Sequence, residues 1–565
     1  MNVQKITQDN KQLQITPQFK GAGDIALRFF ATNQAMGANA VDVAFMVIPR
    51  TASDAIRRGP NAGLETGRRE ASGTINHTLI GVYGIAAGAV AATLMGIDRK
   101  YGTSANQIMT APETLNILAE NKARQIEKEK QQIDYLRETL KNVKAFNPTA
   151  EGADTDGFVR ISDKTIKKAS KILDEVINDE KTNFKKWAGK KTDNSLDVVV
   201  NLITADTGAQ SKYVLESALE NGTKSETNLR TLLEDVYKVS EAFNKEKVKE
   251  AFVRQIKENK GISENVFVKY LSKYKSVKSI AGFALASGIG MSIQPINMYL
   301  TRKKTGQDGF VGVEGRTKDK STGFKFLKAG SAAAFFSMVL ATLNPENKGI
   351  KKISPKGFFG KMAFKGFWPT ISQLKGIYGM TIISRIISTR DKDELREALT
   401  KDTLGFLSWL VLGDFVNKMV AEGLDKKLHN AVGKGKYESV MNRNNEVAEK
   451  GYWECVFKST LKNRDEIIIK ALAENGIETV KTENGKTIAK TFKEMSKDID
   501  KLPEAAKKLV KKRLGILNKA QLAGYAFSGL VLGLGIPNLN IYITNKLDKK
   551  RKAEAAQKAA MAEQA

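Results

Sequence analysis

Few side chains in this chain stand at spacings that could do chemistry. His77 and His429 are too far apart in sequence to suggest a shared metal or a Ser-His-Asp relay. The single thiol, Cys455 in Tyr452-Trp453-Glu454-Cys455, has no second cysteine to pair with and no neighbouring histidine to activate it. Asp154, Asp156, Gly157 and Asp163 approach a calcium-binding loop. Gly152 holds the first ligand position, however, and Asp163 stands where a bidentate Glu is needed, so an acidic turn is expected. Gly485-Lys486-Thr487 resembles the end of a phosphate-binding loop, but Val480 replaces its leading glycine. No catalytic residue, cofactor or metal site is therefore assigned, and a non-enzymatic role is expected.

A different kind of candidate lies inside apolar sequence. Asp414 and Lys418 are one helical turn apart within 403–421, and Lys375 and Arg385 lie within 371–387. Charges in such stretches are costly in lipid and either neutralise one another or line a polar path. Pro295, Asn297, Pro537 and Asn540 join Asp414 and Lys418 as candidates for a polar path or for packing. They belong to a stretch that occurs twice, AGFALASGIGMSIQPINMYLTRK at 281–303 and AGYAFSGLVLGLGIPNLNIYITNK at 523–546. Both copies open Ala-Gly-aromatic-Ala, meet a proline and close Asn-x-Tyr-x-Thr-x-Lys. Proline removes a backbone donor and crowds the preceding turn, so each copy is expected to be a broken or re-entrant helix.

The elements that would position these residues are helices. Residues 71–97 carry no Asp, Glu, Lys or Arg and exceed the roughly 20 residues that cross about 30 Å of hydrocarbon. Gly84, Gly88, Ala92 and Gly96 recur there every four residues, a small-residue stripe for close helix packing and for self-association. Pro49 is expected to end a packed or interfacial helix over 25–48. Thr110 and Glu113 have capping-box spacing ahead of an amphipathic run to Pro148. Ile126, Ile133 and Leu140 recur there by seven, giving a short coiled-coil pattern that Glu129 interrupts. A second, weaker match, LIGVYG at 79–84 and LKGIYG at 374–379, suggests two diverged copies of one plan near 75–303 and 371–546.

Net charge is +29 with a pI near 9.7, which favours acidic partners. Lysines at 348, 351, 352, 356, 361 and 365 alternate with Phe358, Phe359, Phe364, Phe367 and Trp368, a composition suited to the headgroup zone of an anionic membrane. Anionic lipid is the expected partner and nucleic acid a weaker one.

The expected fold is all-α, a multi-segment helical membrane protein with long amphipathic extramembrane helices and an internal duplication. Its expected parts are a polar leader and basic interfacial helix (1–70), a transmembrane helix (71–97), a helical extramembrane region (98–278) and the first broken repeat unit (279–303). Beyond these come apolar helices with basic-aromatic loops (304–421), a second extramembrane region (422–519), the second broken unit (520–546) and a basic tail (547–565). Anchoring or scaffolding at a bacterial inner membrane, with the extramembrane regions in the cytoplasm, is the leading functional expectation. A transporter or channel built on the repeats, or a soluble nucleic-acid-binding protein, are the alternatives.

Overall fold

Long stretches with apolar residues at helical spacing dominate the chain, and the computed structural model is mostly helical. It describes residues 22–32, 34–101, 107–147, 152–178, 195–208, 213–217, 224–243, 246–258, 265–306, 318–343, 362–363, 369–432, 439–442, 460–483 and 486–563, with Ala150, Phe358 and Val456. The stretch around Cys455 and most of the basic-aromatic loop lie outside the described residues.

One bundle holds the apolar helices. Its N-terminal arm comprises α1 (Ala22–Thr32), α2 (Gln34–Asp42) and α3 (Ile48–Arg58), followed by α4 (Pro60–Thr78) and α5 (Ile80–Met95). After a helical domain come α6 (Val266–Thr305), α7 (Thr322–Thr342), α8 (Ile371–Ser388), α9 (Lys392–Leu407) and α10 (Gly413–Val432). A second domain precedes α11 (Glu504–Gly529) and α12 (Ile536–Glu563). Four helical stretches, Val266–Thr305, Thr322–Thr342, Lys392–Leu428 and Glu504–Gln557, are long and apolar enough to cross a membrane, and α4 with α5 makes a fifth if that bent pair is one span.

Side-chain contacts fix the directions. Arg68 meets Thr301 while Tyr270 meets Met95, so α4–α5 and α6 are antiparallel. Lys375 reaches Thr342 and Lys328 reaches Ile387, which sets α7 against α8. Arg396 bonds Thr544, and Gly524 would meet Gly413 and Asn417 if it carried a Cβ, so α9–α10 and α11–α12 are antiparallel too. The α1–α3 arm runs parallel to α11–α12, with Leu27 at Gln521, Phe45 at Gly529 and Pro49 at Gly533. These directions put both inserted domains at one end of the bundle and the 59–69, 302–306, 318–321 and 389–396 segments at the other.

The first domain packs helices Pro112–Glu127, Gln132–Lys141 and Leu229–Phe243, among others, on a small antiparallel sheet. Its order is β2 (Phe158–Arg160), β1 (Val143–Phe146), β3 (Tyr213–Glu216), β4 (Lys224–Thr227). The second domain has helices Arg464–Glu474 and Phe492–Asp498 and two two-stranded ladders. Val198 of the first domain packs with Val480 and Ala489 of the second, joining the two.

Several expectations are corrected by particular contacts. The 71–97 stretch is not one straight helix: α4 begins at Pro60 and bends by 53° into α5 at Leu79, whose ψ of 3° leaves the helical range. Pro49 does not end its helix: the backbone stays helical through the π turn Val43–Val47 into α3, and that wider turn immediately precedes the point where the proline lacks an N–H. Thr110 and Glu113 form no capping box, because Ala111 is the N-cap and the Thr110 amide is held by Asp235 at 2.6 Å. The heptad pattern is cut by a reversal at Glu129, with φ of 50°. LIGVYG and LKGIYG occupy unlike places, the first across the α4–α5 bend and the second inside α8, which runs parallel to α6.

The expected break at Pro295 is absent, and α6 runs through it for 40 residues. Proline at 295 leaves the Met291 carbonyl without its helical donor, and the Ser384 hydroxyl of α8 donates to that carbonyl. In the second copy a π turn, Leu530–Gly535, directly precedes Pro537, and α12 continues beyond it. A wider turn shifts the backbone bonding just where a donor is missing.

Ser384→Ala should cost about 1–3 kcal/mol by stranding a buried carbonyl, and should cost much less in a Pro295→Ala background, where an N–H is restored. Thermal unfolding of the four proteins in detergent measures the coupling. In the second domain, the Lys481 ammonium and the Thr491 backbone and hydroxyl donors hold the Glu494 carboxyl down to about 2 from 4.5. Its folded value is the lower one, so its stabilisation is complete above about pH 4.5 and lost as the pH falls toward 2. Glu494→Gln should flatten that part of the stability–pH curve.

Candidate functional site: a buried ionic layer

At the bundle end opposite the domains, charged residues from five helices meet among apolar neighbours. Glu70 of α4 lies 3.5 Å from Arg50 of α3, 3.3 Å from Arg69, 3.3 Å from Arg385 of α8 and 3.6 Å from Lys401 of α9. Arg385 also pairs with Asp402 at 3.1 Å. Asp42 of α2 accepts from the Thr74 hydroxyl alongside. A carboxylate left alone at this depth would be strongly unfavourable, so the four cations are what allow Glu70 to be buried as an ion.

A second set of pairs continues the layer outward. Arg390 donates to Glu65 at 2.9 Å and to Glu394 at 2.8 Å, and Arg58 pairs with Glu397 at 2.5 Å and with Asp54 at 3.6 Å. Between the sets lies a cavity of about 50 Å³ lined by Glu65, Arg69, Gln294, Arg385, Lys401 and Asp402, among others. That is room for a few waters. Two buried acceptors, Glu65 Oε2 and Gln294 Oε1, have no hydrogen-bond partner among the described residues.

Directly beneath, His77 packs edge-on to Tyr378 at 4.9 Å, and Tyr378 edge-on to Trp409 at 4.9 Å. Both ring nitrogens of His77 and the Tyr378 hydroxyl are buried without a hydrogen-bond partner among the described residues. His77 is thus an interior histidine in an aromatic cluster.

The residues singled out from sequence divide between this layer and the outer surface. Asp414 faces outward with its side chain 62% exposed and pairs with Lys418 at 3.0 Å, which satisfies both without a path. In the repeated closure, Asn297 and Thr301 are buried while Tyr299 and Lys303 are exposed, and Asn540, Thr544, Tyr542 and Lys546 repeat the division. Positions four apart share a helix face, so the motif is one inward polar stripe and one outward interfacial stripe. Thr301 accepts from Arg68 at 2.7 Å. Thr544 accepts from Arg396 at 2.5 Å and donates to the Glu397 carboxylate, while Asn540 donates to the Glu397 carbonyl at 3.2 Å. Pro295 is exposed and Pro537 buried.

Gly84, Gly88 and Ala92 are buried, and Tyr274 of α6 donates to the Gly88 carbonyl at 3.1 Å. A Cβ on Gly88 would stand 2.9 Å from the Lys278 side chain, so this stripe is used within the chain. Gly96 does not join it. It is the left-handed C-cap of α5, at φ of 62°.

Of this layer Arg385 and Asp42 stand out in the sequence as charges inside apolar stretches. Arg50, Glu70 and Asp402 sit just outside such stretches and find their partners across the fold. A signal is present in the Arg-Glu pairs at 69–70 and 396–397, each leading into an apolar helix from the same side. In the first domain, Asp154 accepts from the Asp156 and Phe158 amides, and Lys144 and Lys224 pair with Asp154 and Asp156, so the acidic run is a paired turn.

Glu70→Gln should destabilise the chain by about 3–5 kcal/mol, because it leaves buried cations uncompensated. Asp414→Asn, at an exposed pair, should stay within about 1 kcal/mol. The difference in unfolding temperature between the two variants checks this. No protein-family model, curated protein or solved structure matches this chain.

Proposed function

We propose that this is an integral membrane protein that anchors two helical domains on one side of a lipid bilayer, in a non-enzymatic scaffolding role. The observation carrying the reading is the sorting of side chains on the membrane-length helices. Only 22–44% of their apolar windows is buried, so Ile296, Leu530, Leu534 and Leu539 face outward, whereas Asp402 of the same set, Glu70 of the bent pair and Arg385 of the neighbouring α8 face inward. A soluble core would sort them the other way. Exposed Tyr299 and Tyr542, each followed four residues later by an exposed Lys, suit the headgroup level.

We also infer an internal duplication, in a register different from the one LKGIYG suggests. Arg69-Glu70-Ala71 and Arg396-Glu397-Ala398 stand 327 positions apart, and so do Gly96-Ile97-Asp98-Arg99-Lys100 and Gly423-Leu424-Asp425-Lys426-Lys427. Each Arg-Glu lies on a helical arm, α4–α5 or α9–α10, that runs toward the domain end. Each arm packs antiparallel to a helix that carries the proline and the Asn-x-Tyr-x-Thr-x-Lys closure, and each arm–helix pair brackets an inserted domain. On this reading the protein is two copies of one hairpin-plus-domain unit, with α7 and α8 added between them.

A transport reading draws on the same ionic layer, since buried ionisable groups in a membrane bundle also mark ion and proton routes. Two measurements separate the readings. Alkaline carbonate should leave the chain in the membrane pellet, and its release would sink both membrane readings in favour of the soluble nucleic-acid-binding one. In liposomes carrying an internal pH indicator, a scaffold gives no flux, while a flux abolished by Glu65→Gln would replace the scaffold with a transporter.

Orientation is tested with the single thiol. In intact cells an impermeant maleimide should fail to label Cys455 or, in a Cys455→Ser background, Glu129→Cys of the first domain, while labelling Lys549→Cys beyond the opposite end. Labelling of only one of the two domain positions would refute their placement on one side, and labelling of both would reverse the cytoplasmic assignment.

A further inference from the structure

On the outer flank of α6, at the ionic-layer end, lies an open groove of about 250 Å³ lined by Pro295, Met298, Tyr299, Arg302, Lys318 and Arg390, among others. Among the described residues its lining holds three basic side chains and no carboxylate. Arg390 forms the back wall, with its own partners Glu65 and Glu394 behind it in the ionic layer. Arg302 and Lys318 are exposed at the rim. Lys318 is held there by its neighbour: the Asp319 amide donates to the Arg390 carbonyl at 2.8 Å, and the Asp319 carboxylate accepts from the Ser321 amide at 2.9 Å at the start of α7. The rim charge therefore belongs to a segment pinned against the back wall.

The other side of the groove is apolar and continues along the helix. Pro295 is exposed, and Ile296 and Leu300 beside it are 53% and 39% exposed, part of the outward face of a membrane-length helix. Tyr299, 55% exposed, stands between this face and the basic rim. A ligand that fits must be anionic at one end and apolar along its length, with the junction at the level of an interfacial tyrosine. A free phosphate would use the rim and leave the apolar flank uncovered.

We propose that this groove is a binding site for an anionic glycerophospholipid, with its headgroup phosphate held by Arg302 and Lys318 and its acyl chains lying along Pro295, Ile296 and Leu300. The site rests on the membrane reading above and adds to it one lipid class at one place on the bundle. It would tie α6, α7 and the turn between α8 and α9 together at the bilayer surface, next to the layer that Arg390 shares.

The test uses the full chain purified in mild detergent, titrated separately with phosphatidylglycerol and phosphatidylcholine, with bound lipid counted by native mass spectrometry. Phosphatidylglycerol should bind at concentrations where phosphatidylcholine does not. Arg302→Gln with Lys318→Gln should weaken its binding about 30-fold, at roughly fivefold per basic residue near the headgroup. Lys318→Gln alone should weaken it about fivefold and serves if the double variant does not fold, and Lys549→Gln with Lys550→Gln should leave it unchanged. Equal binding of the two lipids, or undiminished phosphatidylglycerol binding in the groove variants, would overturn the site. Full displacement of the lipid by millimolar inorganic phosphate would overturn it in favour of a free-anion site. Failure of the membrane reading is seen separately, as release of the chain by carbonate.

Discussion

The contact between Glu70 and its four cations is the constraint around which the bundle is arranged. One carboxylate touches Arg50, Arg69, Arg385 and Lys401, which come from α3, α4, α8 and α9. Desolvating five charges is costly, and apolar residues of similar size would hold the same helices at least as tightly. What the layer adds is discrimination. Sliding α8 by one turn would leave Arg385 without Glu70 and Asp402, and rotating α4 would bury a carboxylate against hydrocarbon. Either change strands a charge, so alternative packings are disfavoured far more than the native one is favoured.

The layer also explains why so much irregular helix collects in the bundle. Of three π turns among the described residues, Val43–Val47, Ser408–Leu412 and Leu530–Gly535, the last touches the other two. A Cβ on Gly529, at the edge of the third, would stand 2.7 Å from the Phe45 ring of the first. A π turn inserts a residue and rotates the rest of its helix by about a quarter turn or more relative to a regular α-helix. Downstream of them lie Arg50, Asp414 and Thr544, two inside the layer and one on the outer face. The π turns thus set which of the later residues face the layer and which do not.

Legibility in the sequence differs from residue to residue, according to whether the cause is local. The helical class and the membrane-length segments follow from apolar stretches that are long and nearly free of charge, a local property. The division of Asn-x-Tyr-x-Thr-x-Lys into two faces is equally local, because its spacing is that of a helix. The ionic layer is not, because Arg50, Glu70 and Arg385 are separated by up to 335 positions and neither Arg50 nor Glu70 is unusual where it stands. Pro295 defeats sequence reasoning for the same reason. The rule about proline is sound for an isolated helix, but the missing donor is replaced by Ser384, 89 positions on. The four-stranded sheet of the first domain escapes because strands of three or four residues are too short for a period to register.

The placement of polar chemistry in this chain obeys one asymmetry. At the domain end, α5 and α6 are held by small-residue contact, with Tyr274 bonding the Gly88 backbone and Lys278 covering the glycine. At the opposite end the same two arms are joined by the Arg68 guanidinium donating to the Thr301 hydroxyl, while Glu70 ties the first of them to α8 and α9 through charge. Small-residue packing fixes distance but tolerates small rotations, whereas paired charges fix orientation. A hairpin clamped by distance at one end and by orientation at the other cannot rock as a rigid body without breaking one of the two. The domain inserted between α5 and α6 inherits that rigidity, because it enters and leaves the bundle at the distance-clamped end. The arms α9–α10 and α11–α12 pair small-residue contact with polar bonds in the same way, with Gly413 against Gly524 midway along them and Arg396, Glu397 and Thr544 at the end away from the domain. Such an arrangement holds the two domains in fixed relation to the bundle, which is the property the proposed anchoring role requires.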